Sequence, residues 1–260
     1  MCYDFTMLIK PIKTRRFRPP KDDLWELLAG SIKVLKEDTV VAVASKIVSI
    51  GEGRCVLVAS VKDKDRLIIQ QADKYLPREM VPNKWAMHTL KNNIFMPSAG
   101  IDESNAAGHY ILWPKDAVKS AQRIWKFLRE KFKIKNLGVL ITDSRSMPLR
   151  RGVVGVSLAH WGFAPLKDYR GKKDIFGKEL VYSQTNMADG LAAAAVVVMG
   201  EGNEQTPLAL ITKVPFVRFS SRPVSSRKPF SSLVVPPEED IYRPFWRAVK
   251  WRKGGGGERP

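Results

Sequence analysis

A chain of 260 residues, 44% hydrophobic and 27% charged, has the composition of an ordinary globular protein and the length of one large or two modest domains. No apolar run approaches the length that crosses a bilayer, which excludes a membrane-spanning helix. The net charge of +18 favours anionic partners, but Lys and Arg are spread along the chain without the aromatic interleaving of a nucleic-acid motif, so nucleic acid is not the expected partner.

The first residues, Met1 to Lys10, contain Asp4 and lack the apolar stretch of a secretory signal. Cys2 and Cys55 form no metal-binding or disulfide pattern, so a reducing cytoplasm is expected. Thr6 to Ile12 predicts a strand, followed by the basic loop Lys13 to Pro20. A helix is expected from Lys21 through Ile32: Asp22 and Asp23 suit its first turn, and Leu24, Leu27 and Leu28 share one face. Thr39 to Ala44 is a β-branched run typical of a buried strand. Ser45 and Lys46 come at its end, and Gly51 to Gly53 predicts a turn. Asp63 to Tyr75 predicts a helix, and Trp85 to Ile94 a strand or hairpin.

Pro97 to Asn105 is a polar loop. Asp116 to Phe132 has the periodicity of an amphipathic helix. Val139 to Thr142 predicts a strand that stops at Asp143, and Gly152 to Leu158 predicts another. Asn186 to Met199 is an Ala-rich helix ending at Gly200, and Leu208 to Thr212 is a last strand. Beyond Thr212 the chain is basic, with paired serines at 220–221, 225–226 and 231–232 and a glycine run at 254–257. It predicts an irregular tail with one short aromatic helix between Ile241 and Trp251. The expected division is a catalytic region 1–212, of one or two subdomains, and a tail 213–260.

Three places set acidic or hydroxyl side chains just past an apolar element: Asp102, the pair Asp143 and Ser144, and Glu201. Ligands gather at such element ends. Converging carboxylates and a hydroxyl suit a hard cation such as Mg²⁺ or Mn²⁺ better than zinc. Taken singly, each is more often a cap, a turn residue or a solvated acid. His88, His109 and His160 show no metal-ligand spacing, and no phosphate-binding loop or nucleophile-elbow signature is present.

Several short motifs recur in order from about Met7 to Thr212. They are Ala44 to Arg54, Gly100 to Asn105 (Gly-Ile-Asp-Glu-Ser-Asn), Ile141 to Ser144, Arg150 to Gly155, Asp168 to Gly171, Asp174 to Gly177, Met187 to Asp189 and Met199 to Gly202. Together they resemble the F-420-0:γ-glutamyl ligase family, nearest to a bacterial branch described as folate-metabolism γ-glutamate ligases. The resemblance implies an α+β fold of mixed, largely antiparallel sheets with flanking helices, neither Rossmann nor P-loop. It implies a homodimer and a GTP-dependent (or ATP-dependent) ligase that joins L-glutamate to an anionic, folate-like or F-420-0-like acceptor.

By the same resemblance Asp102 and Asp143 hold one divalent ion and Ser144 and Glu201 a second, with K⁺ a further candidate ion. Nucleotide contacts are implied for Arg15, Arg16, Phe17, Arg18, Ser45, Lys46, Asn105 and the loop Met199, Gly200, Glu201, Gly202, Asn203, Glu204, Gln205 and Thr206. Asp102, Asp143 and Lys46 carry the catalytic assignment. Arg150, Arg151 and Arg170 have the planar fork that grips carboxylates, with plain surface charge as the alternative. Three positions depart from the family pattern: Ser144 stands where Thr is usual, Ile50 where many members have Lys, and Ala159 to Phe163 is bulkier than usual. The last implies either a different acceptor or core packing. Two other readings compete: a catalytically inactive nucleotide- or nucleic-acid-binding homologue, and a ligase that uses another amino acid.

Overall fold

The structure, a computed structural model, describes residues 6–220 and 233–257. The first five residues and most of the expected serine-rich stretch, Ser221 to Ser232, lie outside the described residues.

In chain order the elements are β1 (Leu8–Ile12), α1 (Leu24–Ser31), β2 (Thr39–Ala44), α2 (Ser45–Gly51), β3 (Cys55–Leu57), α3 (Lys64–Gln71), β4 (Lys74–Tyr75), β5 (His88–Lys91), β6 (Ile94–Pro97) and β7 (His109–Ile111). They continue with α4 (Ala117–Phe132), β8 (Leu137–Ser146), β9 (Val153–Trp161), β10 (Leu166–Asp168), β11 (Gln184–Asn186), α5 (Met187–Met199), β12 (Leu208–Thr212), α6 (Arg243–Ala248) and β13 (Arg252–Lys253). The fold is mixed α+β. A central five-stranded sheet runs β1-β12-β2-β8-β9. Only β2 and β8 pair in parallel; the other neighbours are antiparallel.

From Val40 to Ala44 β2 is apolar without interruption because both faces of this sheet are covered. Val41 and Val43 face one layer with Leu24, Leu27 and Leu28 of α1 and Ile124 and Leu128 of α4. Val40 and Ala42 face the other, packed on Ala188, Leu191, Ala192 and Ala195 of α5. The alternation follows the period of two of a strand. A second, four-stranded sheet runs β13-β4-β5-β6, and Met96 of β6 packs into the main core. Among the described residues no helix is long and apolar enough to cross a membrane.

α1 begins at Leu24 and not at Lys21: Asp23 stands outside the first turn as its cap and accepts from the backbone N–H groups of Trp25 and Glu26. Asp116 accepts from the N–H of Lys119, and Asn186 from that of Asp189. Three further expectations need correction. The chain turns directly into α2 after β2, because Ile47, Val48 and Ile50 find core partners although Ala44 offers no side-chain cap. The helix expected to reach Tyr75 ends at Gln71, and Lys74 and Tyr75 pair with β5. β8 does not stop at Thr142: it runs to Ser146 across a register shift between Ile141 and Thr142. Of the two readings of the bulky Ala159 to Phe163 segment, core packing is the one the structure shows, with Phe163 packed against the Cα of Gly138.

The tail also returns to the fold. β13 pairs with β4, and the N–H groups of Gly254 to Gly257 donate to Asp73, Ile69, Ala72 and Gln70 carbonyls. Glycine is needed there, since a Cβ on Gly254 would sit 2.1 Å from the Ala72 carbonyl oxygen.

Lys91 in β5 is buried, with its ammonium 3.3 Å from Gln71 Oε1 and 5.5 Å from the centre of the Trp113 ring. Burial first, and Arg54 next, push its pKa down to about 8. Between that value and its ordinary one near 10.5 the unfolded chain binds the extra proton. Stability therefore rises with pH across that window. Lys91→Met is expected to raise stability at pH 7 by roughly 1–3 kcal/mol and to flatten this rise, as read by denaturant melts at pH 7 and 10.

Candidate active site

A cavity of about 750 Å³ opens at the ends of β2 and β8, where α2, the Asp102 loop, the Arg15 to Arg18 loop and the segment after α5 meet. Parallel β2 and β8 present their C-terminal ends side by side, and such an end is the usual crevice of an α/β sheet. Asp102, Asp143, Ser144 and Glu201, far apart in the chain, all line it.

Asp102 is fixed by a bridge to Ile111, with backbone bonds of 3.0 and 2.8 Å. Its Oδ1 accepts from Ser104 N and Oγ, each at 2.8 Å, and its Oδ2 lies 2.6 Å from Lys46 Nζ. Burial opposes the charge of Asp102, but Lys46 and the Ser104 donors outweigh it and hold the carboxyl below its usual range. Lys46 also donates to the Ser104 carbonyl at 2.8 Å.

Asp143 has the opposite balance. Its Oδ1 accepts from Ser144 N at 2.9 Å and its Oδ2 from Trp113 Nε1 at 2.6 Å. Burial pushes it up to about 7 against those two donors, and the charges of Asp102 and Glu201 push the same way. Ser144 Oγ donates to Glu201 Oε2 at 3.1 Å. Three carboxylates and a hydroxyl thus share one cavity with Lys46, Arg16 and Arg18, and every candidate cation-ligating atom among them is oxygen. Oxygen ligands of this kind suit a hard divalent cation better than a soft one. Among the described residues no three His, Cys, Asp or Glu side chains close into a ready-made cage. The carboxylates face one space from separate walls.

The remaining walls come from the other expected segments. Asn105 Nδ2 donates to the Gly202 carbonyl at 2.8 Å, tying the Asp102 loop to the Glu201 loop. That second loop is braced by Thr206 Oγ1 donating to the Met199 carbonyl at 2.5 Å and by Gly202 N donating to Glu204 Oε2 at 2.8 Å. Ser45, Asn203 and Gln205 line the cavity with Arg16, Phe17 and Arg18. Arg15 also lines it, but its guanidinium is engaged two-pronged by Asp22 at 2.7 and 2.8 Å. Ile50 is buried with Ala106, Ile111 and the partly buried Phe17.

Arg150, Arg151 and Arg170 are not brought to this cavity. The first two are exposed at the turn between β8 and β9. Arg170 lies beyond β10 and pairs with Asp168, with Nη2 2.6 Å from Oδ2. Sequence reasoning missed Ser104 and Trp113. Ser104 sits inside the Gly100 to Asn105 motif and was within reach of notice; nothing marks Trp113 in the sequence.

The α+β fold thus sets one hydroxyl and three carboxylates, with Lys46, Arg16 and Arg18, around a single cleft at the ends of β2 and β8. The family model described as F420-0:Gamma-glutamyl ligase matches residues 11–213, and the chain belongs to that family. Its relatives include proteins named Coenzyme F420:L-glutamate ligase. The one from Methanopyrus kandleri is 32% identical over 92% of this chain and 98% of its own length. The one from Haloarcula marismortui is 31% identical over 86% and 91%. The one from Methanocaldococcus jannaschii is 37% identical over 59% and 58%.

Proposed function

We propose that the protein is a metal- and nucleotide-dependent γ-glutamyl ligase that adds L-glutamate to a carboxylate of a folate-like or F-420-0-like acceptor. The observation that carries this is the meeting of Asp102, Asp143, Ser144 and Glu201 around one cavity, in a chain of the F420-0:γ-glutamyl ligase family.

A carboxylate and an amine do not condense unaided in water. The acceptor carboxylate takes the γ-phosphoryl group of GTP or ATP, giving an acyl phosphate and the nucleoside diphosphate. The α-amine of glutamate attacks the acyl carbon, the amide forms, and inorganic phosphate leaves with the bonding electrons. The protein's part is positioning and charge neutralisation. Asp102 and Asp143 would hold one Mg²⁺ or Mn²⁺, and Ser144 and Glu201 a second. Such ions, when bound, clamp phosphate oxygens and offset the charge that develops on them. Lys46, Arg16 and Arg18 line the same cavity and add fixed positive charge. Phe17 supplies an apolar surface next to Ile50 that suits a nucleobase. Asn105 keeps the Asp102 and Glu201 loops in register through its bond to Gly202.

A homodimer accords with the exposed apolar side chains of the β8–β9 hairpin, Met147, Leu149, Val153 and Val154. Purified protein given nucleotide, L-glutamate and a panel of folate and deazaflavin acceptors is expected to yield the glutamyl amide by mass spectrometry. Activity is expected to vanish with excess chelator and return with Mg²⁺ or Mn²⁺. Turnover indifferent to chelator rules out the metal-dependent scheme, and steeply salt-dependent RNA binding without nucleotide hydrolysis favours an inactive binding homologue instead.

A further inference from the structure

We propose that Trp113 is a positioning residue that fixes the Asp143 carboxylate for cation binding. The proposal rests on the reading of Asp143 as a metal ligand. Trp113 follows β7 and is almost fully buried. Its indole N–H is a donor only, and it donates to Asp143 Oδ2 at 2.6 Å. Ser144 N holds the other oxygen at 2.9 Å. With one donor on each oxygen the carboxylate plane is set, and each oxygen keeps a lone pair for a ligand in the cavity.

The indole is itself built in. One side lies against Gly100, where a Cβ would sit 2.1 Å from Nε1 and 2.3 Å from Cε2. That glycine belongs to the Gly100 to Asn105 motif that carries Asp102, so one turn serves both carboxylates. The backbone carbonyl of Trp113 accepts from Arg54 Nε at 3.2 Å, and Lys91 Nζ lies 5.5 Å from the ring centre. Gln71 Oε1 accepts from both cations, at 2.9 Å from Arg54 Nη2 and 3.3 Å from Lys91 Nζ. A buried polar network therefore runs from the end of α3 through Trp113 to Asp143. A tryptophan that merely filled the core would not need its N–H aimed at a cavity carboxylate. Partners that orient a ligand in this way typically account for a 10- to 100-fold share of metal affinity.

The test uses the full chain with Trp113→Phe, which keeps a ring and removes the N–H. Mn²⁺ is titrated without nucleotide, and free Mn²⁺ is read by electron paramagnetic resonance on protein shown to be folded by circular dichroism. Affinity is expected to fall roughly 10- to 100-fold. A Phe variant that binds Mn²⁺ within about twofold of the parent leaves Trp113 as core packing and overturns the proposal alone. A parent protein that binds no Mn²⁺ overturns the metal reading beneath it as well. If the Phe variant fails to fold, the parent labelled with ¹⁵N at its seven tryptophans is titrated with Mg²⁺. One indole N–H resonance is expected to shift, and seven unmoved resonances overturn the proposal.

Discussion

Asp143→Asn is expected to lose at least about a thousandfold in ligation rate and to lose divalent cation binding, while the metal-free protein melts no lower than the parent. The first part follows from charge: ions that offset several kcal/mol of developing phosphate charge need a carboxylate, and an amide is a poor substitute. The second part follows from burial. Asp143 lies where burial pushes its carboxyl up to about 7, with Asp102 and Glu201 adding to the effect. A neutral amide of the same shape escapes that cost and keeps the bond from the Trp113 indole on its one oxygen; the bond from Ser144 N, which its NH2 cannot accept, is the smaller loss set against that relief. Activity lost with stability kept is the mark of a functional group held at a structural cost. Steady-state turnover, a Mn²⁺ titration and a chelator-treated thermal melt measure the three quantities. Parent-like turnover removes Asp143 from the active site, and a large fall in melting temperature reassigns it to folding.

The sequence was most legible where local chemistry and tertiary packing agree. Caps at Asp116 and Asn186, the alternating core of β2 and the glycine stop at Gly200 are local signals, and each marks a real boundary. It was least legible where packing overrules propensity. Ile47, Val48 and Ile50 favour strands by their β-branches, yet they form α2 because they insert between the sheet and neighbouring loops. β8 continues past Asp143 because β9 pairs with it as far as Ser146, a partner that local pattern does not disclose.

The site divides the same way. Asp102, Asp143, Ser144 and Glu201, which the structure brings to one cavity, stand out in the sequence because acids and hydroxyls at element ends are conspicuous and because their motifs resemble a family. Trp113 was not, since an apolar aromatic in an apolar stretch carries no mark of where its N–H points. The three arginines illustrate the converse: their fork suits carboxylates, but Arg170 already holds Asp168, and Arg150 and Arg151 stand at a hairpin turn.

Gly155→Val is expected to cost more than the ~1–3 kcal/mol of ordinary overpacking and to disable the site although no cavity residue is changed. Gly155 lies in β9 directly opposite Ser144. A Cβ there would meet the Ala192 carbonyl oxygen at 2.4 Å and Val196 Cγ2 at 2.8 Å. The first is helix backbone, so no rotamer change relieves it, and α5 as a whole must lift from the sheet. The small residues Ala188, Ala192 and Ala195 along α5 show how close that approach is over the length of the helix. Lifting α5 carries away the loop that follows it, with Glu201, whose carboxylate is 3.1 Å from Ser144 Oγ. For a chain of this length each kcal/mol lowers the melting temperature by roughly 2–4 °C, so a fall of at least about 5 °C is expected by calorimetry. Well below that melt, where the variant is still folded, divalent affinity should fall with it. A variant that melts with the parent shows that α5 does not press on β9 at this point, and one that melts early yet keeps full Mn²⁺ affinity separates the Glu201 loop from the seating of the helix.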